Sequence, residues 1–349
     1  MRKTPRIGAR IAVGLTVVAL CLASATTATA AAPRDCTPDK LLVNPCRPLL
    51  GARATGYTEV GAGERAQIEF HEQRIGRKLD VAHTFSPAGS LPLTNPDVRY
   101  LAQRDGTTLF QNWKAADVWK DAGGGNATVN ARIDKAADNI KKLGDKKIFL
   151  TLHHEPENDV SSAPGCKTKA GAIGGTPAEY RQMWANVRAR FDAKGVSNVI
   201  WVMDYMNYPT WDCLVPQLYP GDNLVDWVMF NGYGASWNPN FAANIDRFQK
   251  ILEKNTTPTR QYTSKPWGIV EWGITHATAA EQRSYFQQAN AALDANRFPK
   301  LKLWMIFDSP GYEPFPGLRI RYDDAGNKDL SEESLYKKFA NNPVLTAGM

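Results

Sequence analysis

An alternation constrains this chain more than any other feature: short runs of β-branched, aliphatic or aromatic residues recur along it, separated by longer stretches of helical period. Eight runs read as strands, at residues 49–53, 79–85, 107–113, 147–153, 198–204, 226–231, 266–271 and 301–307. Eight strands alone would also suit an antiparallel sandwich, and the helix starts between them decide against it. Thr176-Pro177-Ala178-Glu179 is a capping box with proline at the first helical position, followed by Tyr180, Trp184, Val187 and Phe191 on one face and Gly195 as the stop. Thr278-Ala279-Ala280-Glu281 repeats the box, Val129, Ile133, Ala136, Ile140 and Leu143 mark an apolar stripe, and Phe241, Ile245, Phe248 and Leu252 mark another. Strands joined through helices of this length run parallel by right-handed crossovers, because a tight hairpin cannot link parallel neighbours. Eight such units close into an α/β fold of the (β/α)8 TIM-barrel type. A doubly wound open sheet ranks second; it wants a glycine-rich phosphate loop after an early strand, and Gly123–Gly125 has no strand directly before it.

The chain has 349 residues, 43% of them apolar, enough for one full core, and neither an internal repeat nor a linker divides it. Its formal charge of +7 invites a nucleic-acid reading. Four of the basic residues, Arg2, Lys3, Arg6 and Arg10, however, precede an apolar run at 11–23 and then Ala28-Thr29-Ala30, the layout of a secretory signal peptide at 1–30. Cleavage takes those four from the 42 basic residues and leaves 38 against 35 acidic ones, which gives no argument for a polyanionic partner. The apolar run is 13 residues long, short of the ~20 of a membrane-spanning helix. Leu20 stands before Cys21 where a lipoprotein signal wants a small residue. The expectation is a secreted, extracellular, monomeric protein whose single domain spans 31–349, with no nucleic-acid or membrane partner. Cys36, Cys46, Cys166 and Cys213 remain, an even number in a chain bound for an oxidising compartment. The short loop favours Cys36 with Cys46, which leaves Cys166 with Cys213.

Working residues of a (β/α)8 barrel lie at the C-terminal ends of its strands. The fourth strand ends in His153-His154-Glu155-Pro156-Glu157 and the seventh in Glu271-Trp272-Gly273. Two carboxyl groups facing each other across a barrel mouth are what glycoside hydrolysis requires, one to protonate the leaving oxygen and one to attack the anomeric carbon. Trp113, Trp272 and Tyr233 suit sugar rings, whose C–H faces pack on flat apolar surfaces. With His154-Glu155, Glu271-Trp272-Gly273 and Asn231-Gly232-Tyr233 in these places, the chain resembles glycoside hydrolase family 26 from about Leu49 to Phe307. The resemblance implies Glu155 as acid/base, Glu271 as nucleophile, His154 as an orienting neighbour and Tyr233 as a hydrogen-bond donor to the nucleophile. Mannan-cleaving members typically continue Met-Asn-Gly after the strand-four glutamate, whereas this chain reads Pro156-Glu157-Asn158-Asp159; the departure bears on substrate rather than on catalysis.

Several residues carry a second reading. Glu157 and Asp159 compete with Glu155 for the cleft. If period two persists to the end of the fourth strand, His153 shares the phase of Glu155 and His154 points the other way. His83 either lines the pocket or is a satisfied core histidine, and His276 is read as surface. Most tryptophans belong to packing, but Trp113, Trp272 and Trp304, near strand ends, are taken as sugar platforms. Asp204 and Asp308 either bind a hydroxyl or cap a turn. The functional expectation is a retaining endo-β-glycosidase needing no cofactor and acting on β-mannan first, with β-xylan or mixed-linkage β-glucan next. A non-catalytic carbohydrate-binding barrel and a metal hydrolase built on His153, His154 and Glu157 are the competitors.

Overall fold

The computed structural model describes Met1, residues 35–312, 315–318, 320 and 331–349. The expected signal segment, with Cys21, lies outside the described residues apart from Met1. Among the described residues, no helix is long and apolar enough to cross a membrane.

Strands β1 (Leu49–Ala54), β2 (Val81–Ser86), β3 (Thr108–Trp113), β4 (Ile148–Leu152), β5 (Val199–Tyr205), β6 (Trp227–Ala235), β7 (Trp267–Thr275) and β8 (Leu301–Tyr312) follow one another in sheet order. All neighbours are parallel, and β1 pairs with β8 from Leu49↔Leu303 to Ala54↔Asp308, which closes the barrel. A ninth strand, β9 (Phe315–Leu318), turns back on β8 as an antiparallel hairpin. Between the strands run α1 (Glu64–Ile75), α2 (Pro96–Gln103), α3 (Ala127–Lys141), α4 (Pro177–Ala193), the single turn α5 (Val215–Leu218), α6 (Phe241–Asn255) and α7 (Ala279–Asp294). Helices α8 (Glu332–Ala340) and α9 (Pro343–Thr346) follow β9. Both expected capping boxes form: Thr176 and Thr278 each accept from the backbone N–H three residues on, while Glu179 and Glu281 accept from the threonine N–H.

Strand alternation sorts the core into two layers. Ile200, Val202, Met229, Phe149 and Met305 fill the barrel, while Trp201, Phe230, Trp304 and Ile306 face the helices. β6 and β7 extend four residues past their expected ends. Gly232, Gly234 and Gly273 read locally as breakers, yet Gly232↔Trp272 through Ala235↔Thr275 continue the ladder. The side chain of Tyr285 on α7 explains Gly234, whose Cβ would lie 2.6 Å from its ring, and its hydroxyl donates to Gly232 O at 2.8 Å. At the opposite end of the barrel, Leu41, Leu42 and Val43 pack under the interior, and Trp227 Nε1 donates to Leu41 O at 2.9 Å. Cys36–Cys46 closes the loop that carries this plug, and Cys166–Cys213 ties the loop after β4 to the one after β5, the two expected pairings.

Gly51 sits on the inward face of β1, where a Cβ would meet Met305 Cγ at 2.4 Å and Val81 O at 2.9 Å. Gly51→Ala is therefore expected to lower stability by about 1–3 kcal/mol through overpacking. Gly125→Ala, with nothing within 4 Å of its Cβ, is expected to stay within about 0.5 kcal/mol. Urea unfolding of both variants checks the contrast, and equal midpoints would remove the steric account.

Candidate active site

At the C-terminal mouth, β6 turns Asn231 and Tyr233 inward two residues apart. Asn231 Nδ2 donates to Glu155 Oε1 at 2.6 Å, and the Tyr233 hydroxyl donates to Glu271 Oε2 at 2.8 Å. One strand face thus supplies a donor to each glutamate. Glu155 Oε2 accepts a further bond from Asn158 Nδ2 at 3.0 Å, and no group among the described residues bonds Glu271 Oε1.

Neither glutamate arrives by regular strand geometry. Phe230 pairs with Ile269 and Gly232 with Trp272, so Asn231 alone stands opposite Val270 and Glu271; β8 shows the same shift. This bulge is the reason Glu271 faces inward. Ile269 faces the helices, strict alternation would send Glu271 the same way, and the extra residue restores the inward aim while leaving Trp272 outside. At the end of β4, His153 and Glu155 adopt left-handed backbone, φ 59° and 47°, a conformation uncommon outside glycine and concentrated at functional sites. The expected phase is overturned there. His153 is the packing histidine: Trp119 Nε1 donates to its Nδ1 at 3.0 Å and its Nε2 lies 2.5 Å from Asp159 Oδ2. His154 turns to the mouth, its ring 5.0 Å from that of the half-buried Phe85.

The competitors at this end are also accounted for. Glu157 is buried, and both its oxygens accept from the Met206 N–H at 3.1 and 3.2 Å, joining the end of β4 to the end of β5. Although burial opposes it, His153 and Lys114 hold the Asp159 carboxyl below its usual range. Among the described residues, no three His, Cys, Asp or Glu are grouped to hold a metal ion, and His153 and His154 point to different neighbours.

Charge around the pair follows from burial. Desolvation, with the adjacent charge of Glu155, pushes Glu271 up to about 8 against the opposing pull of Tyr233 and Arg53. Desolvation also raises Glu155, against the amides of Asn231 and Asn158. Beneath them Asp204, fully buried on β5 with neither oxygen hydrogen-bonded among the described residues, is raised well above its usual value by desolvation and by Glu271, Glu155 and Glu157. Asp204 is thus an interior group lying beneath the pair rather than the cap of a turn. His83 lies 4.0 Å from Glu271 Oε1 and 2.8 Å from Asn112 Nδ2; burial holds it neutral, as it does His154, which is pushed down to about 3.

Three expected platforms are corrected. Trp113, Trp272 and Trp304 are all buried, in the layer between barrel and helices. Trp113 leans on Phe191 and donates to Ser90 O at 3.2 Å, Trp272 packs among Phe241, Phe286, Tyr336 and Phe339, and Trp304 lies against Phe241 and Phe298. No sugar reaches them. Asp308 is likewise structural, bonded by the Tyr57 hydroxyl and within 2.8 Å of His71 Nδ1. Sequence reasoning missed Arg53, whose guanidinium lies over Phe85 and bonds Glu64, and gave no role to Asn231 or Asn158. The inward phase of β6 was the available signal for Asn231.

A sequence profile described as Glycosyl hydrolase family 26 matches residues 72–298. Endoglucanase H of Acetivibrio thermocellus is 26% identical over 210 residues, 58% of this chain but 22% of that protein, so the chain spans about a fifth of this curated relative. The GH26 domain of a Prevotella bryantii endo-β-mannanase/endo-β-glucanase aligns over 87% of this chain and 92% of its own, at 17% identity and TM-score 0.54. A β-mannanase from a symbiotic protist of the termite Reticulitermes speratus, complexed with gluco-manno-oligosaccharide, aligns over 86% and 89% at 13% identity and TM-score 0.55. A modular endo-β-1,4-mannanase from Cellulomonas fimi aligns over 85% and 71% at 16% identity and TM-score 0.56. Identities this low speak for the fold; the profile, which spans more than half of the chain, speaks for descent, and the protein belongs to glycosyl hydrolase family 26.

Proposed function

We propose that this chain is a secreted, retaining endo-β-glycanase, with β-mannan as its first substrate. The observation that carries the reading is the glutamate pair at the mouth, each member held by its own donor from β6. Glu271 Oε1 attacks the anomeric carbon as the bond to the leaving oxygen breaks, and Glu155 delivers its proton to that oxygen. Glu155 then takes a proton from water, the water oxygen bonds the anomeric carbon from the opposite face, and Glu271 departs; two inversions give net retention. Tyr233 keeps Glu271 Oε2 engaged so that Oε1 is the attacking atom. Neutral His154, partly exposed at the mouth, offers a ring nitrogen to a sugar hydroxyl, while His83, fully buried between Asn112 and Glu271, is the core histidine and backs the nucleophile. Mixed-linkage β-glucan is the second reading, favoured by the likeness to an endoglucanase and by the segment after Glu155, which lacks the usual mannanase continuation. β-Xylan comes behind both. The two disulfides support an extracellular site of action.

Removing a nucleophile stops the first step for every substrate, whereas removing a general acid hurts most when the leaving group is poor. Glu271→Gln is expected to be inactive on polysaccharide and activated aryl glycosides alike. Glu155→Gln is expected to release an activated phenol in one burst and then stall. Pre-steady-state phenol release, with proton NMR of the first sugar product, reads both; a burst from Glu271→Gln alone reverses the roles, and an inverted product removes the covalent step.

The pair works when it holds one proton, on Glu155. Desolvation raises both carboxyls, so the rate on polysaccharide is expected to fall on the alkaline side as Glu155 loses that proton and on the acid side as Glu271 takes one up, both limbs lying above the ordinary carboxyl range. In Glu155→Gln the like charge is gone, so the ionisation of Glu271 seen in the phenol burst is expected to move to lower pH than in the parent. A burst profile unmoved by the substitution would separate the two groups electrostatically.

A further inference from the structure

Met1 and Met349 aside, four large apolar side chains are exposed among the described residues: Val118, Ile173, Tyr208 and Trp237. Each lies in a loop that leaves the C-terminal end of a barrel strand, in the order β3, β4, β5, β6. Scattered exposed apolar residues are ordinary; four confined to one end of a barrel, the end that carries the glutamates, are not scattered. The two aromatic ones are the most telling, Trp237 at 72% exposure and Tyr208 at 50%.

Both are braced. Trp237 stands at the tip of a turn closed by Asn238 N–H to Ala235 O at 2.7 Å, and the His276 ring from the loop after β7 backs it at 5.2 Å between centroids. Tyr208 meets the edge of Trp211 at 5.1 Å and follows Asn207, whose left-handed backbone, φ 61°, directs its amide to Asn231 O at 2.7 Å and Asn244 O at 3.3 Å. Asn244, in the first turn of α6, accepts from Asn238 Nδ2 at 2.6 Å and donates to Tyr233 O at 3.0 Å. One asparagine therefore joins both aromatic loops to the strand that holds the glutamates.

We propose that Tyr208 and Trp237 are stacking platforms for the part of a neutral β-linked glycan that extends beyond the sugar at Glu155 and Glu271, with Asn238 and Asn244 as positioning residues. The proposal deepens the glycanase reading and rests on it. In sheet order β5 and β6 lie between β4 and β7, so a chain threaded between the two glutamates leaves the site over this sector of the rim. Flat rings held in place stack on the C–H faces of sugars with little ordering cost, which is where tryptophan and tyrosine anchors are worth most. Segments 206–211 and 235–240 carry no charged side chain, and the nearby Asp212 is paired with Arg247 at 2.5 Å. A neutral chain fits this surface and a polyuronate does not.

The test is electrophoresis of the full chain through native gels containing mannan, mixed-linkage β-glucan or polygalacturonate. The parent is expected to be retarded by a neutral polysaccharide, and Trp237→Ala and Tyr208→Ala to weaken that binding about 10-fold or more, with Trp237→Phe restoring most of it. Thermal unfolding confirms that each variant is folded. Asn238→Ala, which removes the bond from the Trp237 turn to Asn244 without touching sugar, is expected to raise KM on the polymer and leave kcat unchanged. Parent-like retardation of both alanine variants, or stronger retardation by polygalacturonate than by the neutral polymers, overturns the proposal. Parental rates in Glu271→Gln would overturn the glycanase reading instead, and the gels would still report on the platforms.

Discussion

Everything at the mouth of this barrel depends on holding two carboxyl groups together where electrostatics would keep them apart. Burial penalises the charge of each, the charge of Glu155 penalises that of Glu271, and fixed donors on both groups oppose the penalty. The donors come from a single strand: alternate inward positions of β6 supply Asn231 to Glu155 and Tyr233 to Glu271. A one-residue slip of β6 would turn both outward together, since side-chain direction in a strand has period two. Around them the histidines are kept neutral by burial, and Arg53 is the cation whose charge favours ionised Glu271. Electrostatic organisation prepared before substrate arrives is the large term in catalysis of this kind.

Much of this architecture was legible in the sequence because it rests on local, periodic signals. The eight strands, the two capping boxes, both cysteine pairings and the two strand-end glutamates all follow from pattern and place in the barrel. What escaped was direction. His153 and Glu155 leave the β region, and β7 gains one residue at Val270–Glu271, so extrapolated alternation failed at the very ends where chemistry sits. The tryptophans fail for the opposite reason. Trp113 is out of phase with Phe110 and Asn112, and Trp304 stands between inward Leu303 and Met305, so regular alternation already pointed both at the helices. Bonds such as Asn207 to Asn231 O join residues far apart in sequence through backbone carbonyls, and no spacing encodes them.

The outward tryptophan beside Glu271 has its own part in the site. Trp272 is clasped by Phe241, Phe286, Tyr336 and Phe339, from α6, α7 and α8, so the strand bearing Glu271 is pinned from behind while its carboxyl faces the mouth. A side chain whose supports are rigid keeps its geometry through a reaction, and large aromatic contacts are an economical means to that rigidity.

Closure through β1 and β8, and the clasp on Trp272 by α8, also impose an order on how the protein comes into being. A ribosome makes β1 first, and that strand has an open edge until β8 emerges some 250 residues later. Glu155 is synthesised well before the β6 donor that holds it, and Glu271 before Phe286, Tyr336 and Phe339 of the aromatic wall behind its strand. A nascent chain therefore has neither a closed barrel nor the full support behind β7 until the last of these elements emerge, and until then its unpaired edge is open to pairing with other unfinished copies.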